Sequence, residues 1–119
     1  TELLSRLYST NVIREFSYDW VEPNREKWEA KGKEEFISNF EIDEDIMSNL
    51  IARAENAGIE INEEELDKSK KSIRIQLKAL IGKNIWGADV FYPIYQEEDE
   101  ILQAAIQNMP KAISFVQAN

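Results

Sequence analysis

Apolar residues recur along this chain mostly at intervals of three, four and five, the signature of helices that bury one face. Leu3, Leu4, Leu7, Tyr8, Val12, Phe16 and Trp20 line up as one stripe, while Glu2, Arg6, Arg14 and Glu15 turn outward. The pattern predicts a helix over residues 2–21. Pro23 is expected to stop it or to lie just beyond its end, because proline lacks the N–H that a helix interior needs. Residues 24–33 are polar and include Gly32, and they read as a loop or frayed turn around Trp28. Phe36, Ile37 and Phe40 share one face of a short helix predicted from Lys33 to Phe40.

Capping chemistry marks the next two helices. Asp43 suits an N-cap, with Glu44 and Asp45 in the first turn, where the helix dipole favours negative charge. The stripe that follows is Ile46, Met47, Leu50, Ile51 and Ala54. Gly58 ends it, and Ile59 fits the apolar contact of a Schellman ending. Asn62 and Glu65 form a capping-box-like pair opening the longest helix. Its stripe is Leu66, Ile73, Leu77, Leu80, Ile81 and Ile85, and Gly87 closes it. Gly82 lies inside that helix, where glycine costs about 1 kcal/mol relative to alanine. A close helix crossing at Gly82 would offset the cost.

Residues 88–96 break the pattern. Val90, Phe91, Tyr92, Ile94 and Tyr95 have strand-like composition, but Pro93 argues against a central strand and no second strand offers a partner. The segment is expected to be an extended linker laying aromatic rings on the helices. A last helix is predicted from about Glu97, carrying Ile101, Leu102, Ala105, Ile106 and Met109, with one further turn or helix after Pro110. The fold class is therefore all-α: a compact domain of about four to six helices, spanning residues 1–119, with an extended aromatic linker before the last helices.

Composition narrows the chemistry. With 43% hydrophobic residues, the 119-residue chain can build one core without a metal or disulfide staple. The net charge of −9 opposes binding to nucleic acid or anionic lipid. Lys68, Lys70, Lys71 and Arg74 form the nearest thing to a basic cluster, and they read as a solvated helix face. Cysteine and histidine are both absent, which removes thiol nucleophiles, disulfides, the usual general base and the commonest zinc ligand. No apolar run approaches the roughly 20 residues of a membrane helix, and no signal-peptide pattern opens the chain. The start in mid-helix reads as a fragment of something longer.

No catalytic, cofactor or metal site is predicted. Glu97, Glu98, Asp99 and Glu100 lack the spacing of an EF-hand loop, and the helix dipole accounts for acids at a helix N-terminus. The same holds for Glu63 to Glu65 and for Asp43 with Asp45. No serine stands in a nucleophile-elbow turn or a Ser-x-x-Lys pattern. Trp86, Phe91, Tyr92 and Tyr95 are the densest aromatic cluster. Core packing explains them, and an interface with another domain is the alternative, since aromatics are enriched at interface cores.

At Gln76 to Asp99 the sequence QLKALIGKNIWGADVFYPIYQEED resembles the C-terminal tail of tail-specific, or C-terminal processing, serine peptidases, the Bacteroides-type members in particular. The shared order is a lysine–alanine helix (Lys78, Ala79), an aromatic–glycine pair (Trp86, Gly87), an aromatic run (Phe91, Tyr92) and an acid (Asp99). Upstream, EEFISNFEIDEDIMSNLIARAENAGIEINEEEL follows the same family order, so the resemblance extends from about Leu7 to Ile106. In that family the serine nucleophile, the lysine base and the PDZ domain lie elsewhere, and none has a counterpart here. The resemblance implies a non-catalytic accessory domain, partnered by the peptidase core of its own parent chain, by a second copy or by an adaptor protein. It also implies a parent exported to the cell envelope or periplasm. Two rivals stand beside it: an independent helical interaction module that grips a partner helix or peptide, and a regulatory cation binder built on the acid clusters.

Overall fold

The computed structural model describes residues 2–96, and every regular element among them is helical. In chain order these are α1 (Glu2–Ser9), α2 (Val12–Lys31), α3 (Lys33–Asn39), α4 (Glu44–Asn56), α5 (Glu63–Trp86) and α6, residues 88–96. The all-α expectation holds. The helix predicted after Glu97 lies outside the described residues.

The two long helices, α2 and α5, form the main packing pair, with α1 and α3 touching both and α4 lying on α2. The core between them holds Leu3, Leu7, Ile13, Val21, Phe36, Leu50, Ile73, Leu77 and Ile81, all essentially inaccessible to water. A polar link crosses it. Asn84 Nδ2 donates to the buried Ser17 Oγ at 3.0 Å, and Ser17 Oγ donates to the Arg14 carbonyl at 2.8 Å. Both ends of this bridge are satisfied, as buried polar groups must be.

Three expectations are corrected. The single helix over residues 2–21 is broken at Thr10 and Asn11, and Asn11 adopts a left-handed conformation with φ 65°. Asparagine tolerates that region better than most side chains. The reason lies in the stripe: the five-residue step from Leu7 to Val12 would rotate the second half away from the core, and the break turns it back. Leu3, Leu7, Val12, Ile13 and Phe16 are all buried as a result.

Next, α2 does not end near Pro23, and residues 24–31 are not a loop. The helix runs through the proline to Lys31. Pro23 and Asp19, the residue whose carbonyl loses its helical donor, are both exposed, so the gap in the ladder faces water. Asn24 Nδ2 donates to the neighbouring Trp20 carbonyl at 2.8 Å. On the opposite face Ser17, Val21 and Trp28, spaced four and seven apart, are buried. Trp28 meets Phe36 and Phe40 edge-on, with ring centroids 5.4 and 5.2 Å away. Burying about 200 Å² of aromatic surface at about 25 cal/mol/Å² yields about 5 kcal/mol, more than the roughly 3 kcal/mol a helical proline costs.

Finally, residues 88–96 are helical rather than an extended linker. Val90 and Ile94, one turn apart, are buried at 0% and 2% exposure. Pro93 again sits on the solvent side, as does Asp89 one turn before it. Composition suggested strand, but the i, i+4 spacing of the buried pair is that of a helix.

Both N-caps form, and of the capping-box pair the Asn62 half is present. Asp43 accepts the Ile46 N–H at 2.9 Å, and Asn62 accepts the Glu65 N–H at 3.1 Å. At the end of α4 both Schellman bonds are present: Ile59 N–H to the Ala54 carbonyl and Gly58 N–H to the Glu55 carbonyl, each 3.0 Å. Gly58 takes φ 89°, and Ile59 is buried beside the equally buried Ala54.

Candidate functional site

Gly87 stops α5, its N–H bonded to the Lys83 carbonyl at 2.8 Å, and the chain turns so that α6 lies back against α5. The contact point is Gly82. A Cβ built there would stand 2.5 Å from Val90 Cγ1 and 3.0 Å from Phe36 Cε1. The absence of a side chain at Gly82 is therefore what lets α6 approach, and the expected close crossing is present.

This arrangement divides the four aromatics that the sequence grouped. Trp86 is half-buried and packs on Phe36, 5.3 Å between centroids, so it joins the core cluster with Trp28, Phe40 and Trp20. Tyr92 and Tyr95 lie on the outer side of α6, and Phe91 between them is partly buried against the core. Phe91 stacks on Tyr95 at 5.4 Å and 16°, and meets Tyr92 edge-on at 5.4 Å. The Lys83 ammonium sits 5.5 Å from the Phe91 ring centroid. Tyr92 is 62% and Tyr95 43% exposed. Core packing is therefore realised for Trp86 and in part for Phe91, while Tyr92 and Tyr95 face outward.

A second feature was hidden in the basic cluster. Phe40 and Ile42, buried in the connection between α3 and α4, meet Ile75 of α5 at the floor of an open cavity of about 230 Å³. Lys71, Arg74 and Lys78 form one wall and Glu41 part of the other. Arg74 pairs with Glu44 of α4, and Lys70 reaches the same Glu44 oxygen at 3.3 Å. Lys78 Nζ donates to the Ile37 carbonyl of α3 at 2.7 Å. The sequence signal for this wall was the i, i+3, i+7 spacing of three cations. Reading Lys68, Lys70, Lys71 and Arg74 as one solvated face left out Lys78 and the apolar floor.

Among the described residues no group of three or more acidic side chains is placed to hold a metal ion. Glu97 to Glu100 lie outside those residues. Ser17 and Ser69 spend their hydroxyls on backbone carbonyls one turn back, those of Arg14 and Glu65. No described helix is long and apolar enough to cross a membrane.

Residues 3–87 match a family of unknown function, DUF8443. The chain belongs to this family. The DUF8443 region takes in α1 to α5 and the cation-walled cavity, and it ends at the glycine where α6 begins. No curated protein matches the chain, and neither does any solved structure.

Proposed function

We propose that this DUF8443 chain is a non-catalytic accessory domain of a carboxyl-terminal processing serine peptidase, and that it acts by docking onto the peptidase core of its own parent chain. The observation that carries the docking role is the aromatic face of α6. Phe91, Tyr92 and Tyr95 stand together on one helix surface, and tyrosine pairs a large apolar ring with a polar tip suited to interfaces. The parent's identity rests on the resemblance over Gln76 to Asp99, and export to the envelope or periplasm follows from that parent.

The test compares the full-length gene product with the 119-residue chain on an unstructured protein substrate. The full-length protein is expected to cleave it and the isolated chain to leave it intact. Changing Tyr92 and Tyr95 together to Ser removes two ring contacts with Phe91, so the domain's own melting temperature should fall by about 4–8 °C while it stays folded at about 25 °C. The same pair should loosen the domain from the core, seen as faster limited proteolysis of the junction. Cleavage by the isolated chain would sink the accessory reading. A reading frame without a serine–lysine core would remove the parent and leave a self-standing interaction module.

A further inference from the structure

The cavity beside α5 carries charge of the opposite sign to the chain around it. Three cations, Lys71, Arg74 and Lys78, line it together with Glu41, and Glu44 at its edge pairs with Arg74, in a protein of net charge −9. Lys71 is exposed and forms no ion pair among the described residues. The Arg74 guanidinium gives a terminal nitrogen to Glu44, while its Nε–H is buried without an acceptor. A buried donor in that state is uncommon and costs free energy. Lys78 is held at the wall by its bond to the Ile37 carbonyl, so the third charge is fixed in place. Beneath the charges the floor is apolar: Phe40, Ile42 and Ile75.

We propose that this groove docks a short acidic segment of a protein partner, taking a carboxylate on the Lys71–Arg74–Lys78 wall and a neighbouring apolar side chain on the Phe40–Ile42–Ile75 floor. The cavity, about 230 Å³, is smaller than the roughly 300–1,000 Å³ of small-molecule sites and suits one or two side chains. Carboxylate chemistry is already shown at its edge, where one Glu44 oxygen takes both Arg74 and Lys70. A phosphate would carry more negative charge into a site rimmed by Glu41 and Glu44 and would leave the apolar floor unused. The chain's overall charge repels acidic peptides, so an affinity of this kind has to come from the groove itself. This inference does not depend on the peptidase parent, since it concerns a different face of the domain.

The experiment is an amide NMR titration of the 119-residue chain with a capped six-residue peptide alternating glutamate and leucine. Saturable shifts are expected at amides 40–44 and 71–78. Lys71→Glu should weaken binding by about ten-fold or more, and Lys71→Gln by less, each with an unchanged melting temperature because Lys71 is exposed. The same peptide with glutamine in place of glutamate should bind at least about ten-fold more weakly. No saturation at about 1 mM peptide, or shifts confined to other surfaces, would overturn the assignment. Equal binding by the glutamine peptide, or indifference to Lys71→Glu, would overturn it too. Inorganic phosphate producing the same shifts at the same concentration would show a general anion site and refute the peptide occupant.

Discussion

Replacing Gly82 with alanine sets two opposing effects against each other at one atom. In an isolated helix the change is favourable by about 1 kcal/mol, because alanine surrenders less backbone freedom than glycine. Here the new Cβ would lie 2.5 Å from Val90 Cγ1 and 3.0 Å from Phe36 Cε1, well inside van der Waals separation. Neither neighbour has room to retreat. Val90 and Phe36 are both at 0% exposure, and Phe36 is enclosed by the rings of Trp28, Phe40 and Trp86. Overpacking a filled core costs about 1–3 kcal/mol, and a contact this short belongs at the upper end of that range. The expected net effect of Gly82→Ala is a destabilisation of about 1–2 kcal/mol, or a fall of about 4–8 °C in melting temperature. Urea and thermal unfolding followed by circular dichroism measure it. A second substitution identifies the cause: Val90→Ala in the Gly82→Ala background vacates the space the new methyl needs, so the pair should be less harmful than the sum by about 1 kcal/mol. A stabilised Gly82→Ala protein would show that the propensity gain is unopposed and that α6 does not press on Gly82. Additivity of the two changes would show that the strain lies elsewhere.

Two further expectations concern the helix ladder. Pro23→Ala should raise stability by about 1–2 kcal/mol, because a lost backbone bond is restored on an exposed face; a melting temperature that falls would mean that a proline bend is needed to seat Trp28. Asp43→Ala should lower stability by about 1 kcal/mol through loss of the bond to the Ile46 N–H, with Asp43→Asn retaining most of it, as read from the urea midpoint at constant slope.

The candidate surfaces were partly visible before the fold was. The aromatic quartet stands out in the sequence, yet nothing in its spacing says that Trp86 turns inward while Tyr92 and Tyr95 face water. That division depends on α6 being a helix, which strand-like composition concealed. The basic residues of α5 were equally visible as charges. What makes a groove of them is Phe40 and Ile42, brought alongside by packing between segments about thirty positions apart, as the Arg74–Glu44 pair also shows.

Sequence alone determined what short-range physics controls. The caps at Asp43 and Asn62, the Gly58–Ile59 ending and the apolar stripes of α4 and α5 involve groups within about five residues of one another, so local spacing specifies them. It showed that Gly82 carries a helix cost that a close crossing would offset, and the structure supplies that crossing at Val90 and Phe36. Tertiary structure decided the rest. It carried α2 through Pro23, broke the first helix at Asn11 and made residues 88–96 helical. For α2 and for residues 88–96 the burial of distant side chains, Trp28 on Phe36 and Phe40 and Val90 on Gly82, outweighs a local preference worth a few kcal/mol. Periodicity within one segment cannot register a partner that only folding brings near.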